Sequence, residues 1–218
     1  MIKLSSYEAD GSISFWQVYE YDANGNNIKM TVYRKDGKIG SIYEYEYNSN
    51  QKIKSTEYYP DGSLKNVIEY GSNQIKIKES DYSQGGILYS VTEYSATGKK
   101  AKVTYYGASD STGVKPVVNE YDDSEKLIKS TQYNSDGSID YWYIYEYSEN
   151  SMTQTEFRAD GTPRDEWVYE YDASGRTVKS SNYSYYSDGT RHLGFWTEYA
   201  YDAVGNEIKH TTYWVEYN

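Results

Sequence analysis

The chain has 218 residues, 30 of them Tyr and none Cys, and a formal net charge of −11. Its mean hydropathy of −0.92 is too polar for a thick aliphatic core, the lack of Cys removes disulfides and thiolate chemistry, and the acidic balance argues against nucleic acid, whose phosphates need clustered Lys and Arg. No apolar run approaches the ~20 residues of a transmembrane helix, so membrane insertion is not expected, and Met1 to Tyr7 turn polar at once, without the apolar core of a signal peptide.

Low hydropathy and high charge lean toward disorder. Against that stand abundant Tyr, Thr, Val and Ile, which suit pleated, half-buried surfaces, and a regular punctuation. Asp10-Gly11 opens a series of tight turns that continues with Asp36-Gly37, Asp61-Gly62, Asp136-Gly137, Asp160-Gly161 and Asp188-Gly189. Gln84-Gly85-Gly86 and Ser111-Thr112-Gly113 fill the two gaps, which makes eight turns 24 to 28 residues apart. Asp-Gly is a hairpin signal because Gly takes the positive φ that the turn requires.

A second landmark falls between these turns. Tyr21-Asp22-Ala23-Asn24-Gly25-Asn26 recurs as Tyr171-Asp172-Ala173-Ser174-Gly175-Arg176 and as Tyr201-Asp202-Ala203-Val204-Gly205-Asn206. Looser versions begin at Tyr47, Tyr70, Tyr94, Tyr121 and Tyr147. In the full versions Ile28-Lys29, Val178-Lys179 and Ile208-Lys209 follow. The intervening segments alternate in character and are too short and too β-branched for helices. The pattern predicts an all-β chain of about 17 antiparallel strands joined by hairpins. It reads as one repeat domain over residues 1–218, with about eight hairpin repeats in one extended or curled sheet, spiral or shell-like. A four-bladed β-propeller is the structural alternative. Ile2-Lys3 to Asp10-Gly11 matches Ile28-Lys29 to Asp36-Gly37 position for position. The chain therefore starts, and also ends, in mid-repeat, as an excised segment of a longer array would. Unpaired end strands predict edge-to-edge self-association.

Register follows by arithmetic. Setting Tyr21 opposite Ile28 places Glu20 by Lys29, Tyr19 by Met30 and Val18 by Thr31. Counting across Asp36-Gly37 places Tyr33 by Gly40, Thr31 by Ile42 and Lys29 by Glu44. The same counting pairs Glu46 with Lys54, Glu69 with Lys76, Glu93 with Lys102, Glu120 with Lys129 and Glu170 with Lys179. It leaves Glu146 facing Thr153 and Ala200 facing Lys209. One face thus carries Glu, Lys and Thr, in a pattern that resists register slips. The other face is rich in Tyr and is expected to be the buried one.

The unit E-Y-x-Y-D-x-x-G-x-x-I/V-K-x-T-x-Y-x-x-D-G resembles the YD repeats of the RHS family. The residues that carry the resemblance are Tyr19 to Gly25, Tyr169 to Arg176 and Tyr199 to Gly205. It implies hairpin sheets that wind into hollow shells, found in bacterial surface or exported toxin-associated proteins, wall-associated proteins and animal adhesion receptors. Such a shell encloses or presents another domain and is not itself the catalyst. The implied partner is a protein or the rest of the parent chain, and the implied location is extracellular or at the cell surface.

The site candidates are few. Trp16, Trp142 and Trp196 fall by alternation on the Glu/Lys face, where large aromatics either stack on sugars or dock a protein, or cross-pack with Thr31-type and Tyr33-type neighbours. These three are the candidate ligand-binding residues, and they make a carbohydrate or cell-wall binding module the alternative function. Trp167 falls on the Tyr face. His192 and His210 read as surface residues. The ladder carboxylates have structural reasons to exist, and no D-x-D-x-D-G calcium loop or phosphate loop is present. No metal, cofactor or enzyme activity is expected, and Asp36, Gly37, Asp61, Gly62, Asp136 and Gly137 are assigned as structural turns. The stretch from Gly107 to Pro116 is the one irregular place where a cleft could interrupt the repeat.

Overall fold

The computed structural model describes residues 1–107, 113 and 115–216. The chain divides into two compact units, Met1–Ala108 and Ser109–Asn218. The first holds β1 (Ile2–Tyr7), β2 (Ile13–Tyr21), β3 (Asn27–Arg34), β4 (Ile39–Asn48), β5 (Gln51–Tyr58), β6 (Leu64–Tyr70), β7 (Lys76–Ser83), β8 (Ile87–Tyr94) and β9 (Lys100–Tyr105). The second holds β10 (Val117–Tyr121), β11 (Leu127–Tyr133), β12 (Ile139–Tyr147), β13 (Ser151–Arg158), β14 (Pro163–Tyr171), β15 (Thr177–Tyr185), β16 (Arg191–Tyr201) and β17 (Glu207–Trp214). The 17 strands among the described residues are all antiparallel, and within each unit every strand pairs with its neighbour in sequence. The ladders are open and show no division into groups of four, which removes the propeller alternative. Among the described residues helix is limited to one 3-10 turn, Ser72–Gln74.

Each Asp-Gly landmark closes a three-residue loop. Arg34 N donates to the Lys38 carbonyl at 2.8 Å, and Gly37 N donates to the Arg34 carbonyl at 2.9 Å. Asp36 keeps a negative φ while Gly37 takes +83°, so the turn is a type I turn followed by a left-handed glycine. Asp36 Oδ1 accepts from Lys38 N at 3.0 Å. At Asp61-Gly62 and Asp136-Gly137 the Asp accepts both the N–H and the hydroxyl of Ser63 or Ser138. The Ser63 and Ser138 hydroxyls, helped by the backbone N–H groups, hold the Asp61 and Asp136 carboxyls below their ordinary range. Of the turn Ser111-Thr112-Gly113, only Gly113 is among the described residues, at φ +97°.

These loops shift the register by one residue at strand ends. Tyr21 pairs with Asn27 rather than Ile28, and Tyr33 with Ile39 rather than Gly40. Glu69 pairs with Lys78 rather than Lys76, because Tyr70 takes Lys76 and Ile77 is left over. The extra residues Ile28, Gly40 and Ile77 are β-bulges, which add local twist and re-aim side chains. Strand interiors follow the counted pairs, including Glu20 with Lys29, Lys29 with Glu44 and Glu170 with Lys179.

The expectation of one buried face is corrected. Among the described residues only two apolar side chains, Val91 and Val103, are buried. The other buried residues are small and hydroxylic apart from Glu166, and they lie on both faces. Thr31, Thr56, Ser80, Thr104, Thr131 and Ser181 share the Glu/Lys face, while Ser90, Ser180 and Thr197 share the Tyr face. Each unit is a single layer of sheet. Long side chains lean over short ones, so burial comes from lateral cover by Tyr, Trp, Lys and Glu stems rather than from a second layer. The accessible area is 13653 Å², against roughly 12,400 Å² for two compact domains of half the mass.

Candidate functional site

The three candidate tryptophans occupy equivalent environments on the Glu/Lys face. Trp16 sits directly across from Tyr33, with parallel rings 5.2 Å apart. Trp142 sits across from Phe157 at 5.4 Å, and Trp196 across from Tyr213 at 4.9 Å. On the preceding strand each Trp faces a small hydroxylic residue: Ser5, Thr131 or Ser181. Thr131 is only 2% exposed, so the ring pair roofs over it. The Trp16 and Trp142 rings also reach the neighbouring turns, with Cη2 at 4.0 Å and 3.9 Å from where a Cβ on Gly37 or Gly161 would lie. Cross-strand aromatic pairs of this kind stiffen a sheet. All three rings remain half-exposed, and Lys3 Nζ stands 4.9 Å from the Trp16 ring centre.

Trp16 belongs to the first unit, Trp142 and Trp196 to the second, and the latter two lie four strands apart. Trp167 is on the Tyr face, edge-on to Phe195 at 5.5 Å above Asn182. Trp214, unassigned by the alternation argument, packs at 4.8 Å on Phe195 and is 72% exposed. His192 lies 4.0 Å from the Tyr186 ring, and His210 Nδ1 is 2.9 Å from Glu207. Among the described residues no group of three His, Asp or Glu could hold a metal. Most of the stretch from Gly107 to Pro116 lies outside the described residues.

Two polar networks escaped sequence reasoning. On the Tyr face, the Tyr43 hydroxyl donates to Glu57 at 3.1 Å while Lys65 pairs with the same carboxylate at 2.6 Å. The second unit repeats this arrangement with Tyr143, Glu156 and Arg164, at 3.3 and 3.0 Å. Lys65 and Arg164 are each the bulge residue after an Asp-Gly turn, and the bulge turns them toward the Glu. Burial, with the Glu156 charge beside it, pushes the Tyr143 phenol up to about 12, and burial and Glu57 raise Tyr43. The other network surrounds Glu166, a buried carboxylate on the Glu/Lys face. It accepts from the Tyr185 hydroxyl at 2.7 Å and pairs with Arg191, whose guanidinium lies 3.4 Å from the Tyr183 ring centre. The one clue in the sequence is the longer spacing into the Asp188-Gly189 turn.

The Glu/Lys face differs between the units. Across β4 to β9 the row Glu46, Lys54, Glu69, Lys78, Glu93 and Lys102 alternates in sign without a break. Its ion pairs measure 2.9 Å for Glu46–Lys54, 3.7 Å for Glu69–Lys78 and 3.1 Å for Glu93–Lys102. In the second unit the row that starts at Glu146 continues through Thr153, Val168, Ser181, Trp196 and Tyr213. Glu146 makes no ion pair among the described residues, and Glu198 stands between Lys179 and Thr211.

A family model described as a protein of unknown function, DUF2963, matches residues 7–57 and 107–155, once in each half of the chain. No curated protein matches the chain. Among solved structures, TcdB2-TccC3-TEV is similar over 96% of this chain and 12% of its own, at 15% identity and a TM-score of 0.31. Staphylococcus aureus TarM, in complex with fondaparinux, α-GlcNAc-glycerol and UDP, is similar over 62% of this chain and 22% of its own, at 11% identity and a TM-score of 0.30. A protein of unknown function from Bacteroides fragilis is similar over 72% of this chain and 90% of its own, at 10% identity and a TM-score of 0.26. The chain thus spans about a fifth of TarM and about an eighth of the TcdB2-TccC3-TEV chain.

Proposed function

We propose that this chain is a non-catalytic repeat scaffold and protein-interaction module, of the kind that YD repeats supply in bacterial surface or exported toxin-associated proteins. The observation that carries the reading is the single-layer sheet, which buries two apolar side chains among the described residues and leaves both faces accessible. Such a sheet offers its area to a partner rather than to a core of its own. The YD motifs sit where the scaffold needs them. Asp22 accepts from the N–H groups of Asn24 and Asn26, and Asp172 and Asp202 repeat the pattern. The ladder carboxylates and the clustered tyrosines likewise have structural duties, which leaves little for acid–base chemistry.

Carbohydrate binding is the competing reading. At Trp16, Trp142 and Trp196 the cross-strand partner Tyr33, Phe157 or Tyr213 takes one ring face, which leaves the other face of each ring to a ligand. Intrinsic Trp fluorescence against a panel of glycans and wall fragments separates the two. The scaffold reading expects emission that no glycan moves. A saturable shift with one glycan would sink it and make the chain a carbohydrate-binding module.

A further inference from the structure

Charge is divided unevenly between the units. Residues 1–108 hold 13 Lys and Arg against 13 Asp and Glu, while residues 109–218 hold 9 against 20. The whole net charge of −11 therefore belongs to the second unit. The local geometry shows where part of it is uncompensated. Glu46 has Lys54 across from it, but Glu146, at the same place in the second unit, has Thr153. Glu198 faces Thr211 on one side, and on the other Lys179, which lies 3.6 Å from Glu170. Both glutamates are exposed. Each shares its strand face with a Trp: Trp142 four residues before Glu146, and Trp196 two residues before Glu198, with its Nε1 donating to Glu198 at 3.3 Å.

We propose that the face of the second unit that carries Trp142, Glu146, Trp196 and Glu198 docks an extended Lys/Arg-rich polypeptide segment. An exposed carboxylate beside an aromatic ring holds a cation by charge and by the ring quadrupole together. The chain already uses this pairing on the same face, where Arg191 lies on Tyr183 and pairs with Glu166. β12 and β16 are four strands apart, roughly 19 Å at the usual spacing, and about six extended residues span that distance. Phosphate backbones are repelled by this face, and a neutral glycan gains hydrogen bonds from its spare carboxylates but no charge attraction. The proposal rests on the protein-interaction reading and names its partner.

The test titrates the full chain with a labelled peptide that alternates Lys and Thr, at low and at physiological salt, and follows peptide anisotropy. The controls are a Glu/Thr peptide, a neutral Ser/Ala peptide and cellohexaose. The expected result is saturable binding of the Lys/Thr peptide that weakens about tenfold in the double variant Glu146→Gln, Glu198→Gln. The matching variant Glu46→Gln, Glu93→Gln in the first unit stays within about twofold. Equal losses in the two variants, or no saturable binding, overturn the site. Binding of the neutral or acidic peptide instead overturns the partner's chemistry and leaves the interaction reading standing. Binding of cellohexaose with no peptide bound overturns both.

Discussion

The two units run the same hairpin plan with strands of different length, and length decides their surface chemistry. β6 and β8 have seven and eight residues, while β14 and β16, in the same order within the second unit, have nine and eleven. In the first unit the Glu before each YD turn stays in one row with the Lys after it, so six charges alternate across β4 to β9. In the second unit the longer strands move Glu170 out of the row and place Val168 there; Trp196 stands where Glu93 stood. The added width is filled by aromatics: Trp142, Trp167 and Trp196 all lie on strands of nine or more residues, as does Trp16. The same repeat thus gives a self-neutralised ladder in one unit, and an aromatic face with spare carboxylates in the other.

What the units share can be broken by alkali. Tyr43 with Glu57 and Tyr143 with Glu156 are held as neutral phenols, and burial raises Tyr45, Tyr145 and Tyr169 as well. An unfolded Tyr titrates near 10. These phenols titrate later when folded, so their contribution is intact below about pH 10 and is lost as pH rises through their raised folded values, about 12 for Tyr143. Far-ultraviolet circular dichroism followed beside phenolate absorbance should show sheet and late-titrating Tyr lost together above pH 10. Titration of every Tyr near 10 with the sheet intact would refute this. A more local change separates the units. Trp196→Ala removes the ring over Ser181 and beside Tyr213, and should cost about 2 kcal/mol in chemical denaturation, below the range for fully buried Trp because the ring is half-exposed. Glu93→Gln, in the corresponding row of the first unit, should cost under about 1 kcal/mol. Equal costs would mean that the stack contributes no more than an ion pair.

The legible part of this structure was its punctuation. Asp-Gly and YD turns fixed the strand order, and side-chain parity fixed the face of Trp16, Trp142 and Trp196 and the pairing of Glu46 with Lys54. Parity failed at the strand ends, because a bulge adds a residue without changing the motif; Ile28, Gly40 and Ile77 carry no mark that sets them apart from a paired residue. Burial was misread for a related reason. A single sheet has no inside, so Thr131 is buried by Trp142 and Phe157 leaning over it, and cover of that kind depends on side chains from three strands. The Glu166–Arg191 pair, 25 residues apart in sequence, joins β14 to the start of β16 across β15, and its only mark in the sequence is the longer spacing into the Asp188-Gly189 turn.

The smallest change probes the comparison most directly. Thr153→Lys writes the first unit's ladder into the second by giving Glu146 the partner that Lys54 gives Glu46. A cross-strand ion pair contributes about 0.2–1 kcal/mol, and less at high salt because both groups face water. The variant should therefore be slightly more stable than the parent in low salt and indistinguishable in high salt, by denaturation at the two ionic strengths. A stabilisation that ignores salt would point to packing of the Lys stem over Val168 rather than to charge. The same substitution should weaken the Lys/Thr peptide, since a carboxylate satisfied within the sheet is no longer free to hold a partner's cation. Gain in stability and loss of binding, read on one variant, would tie the second unit's spare charge to its use.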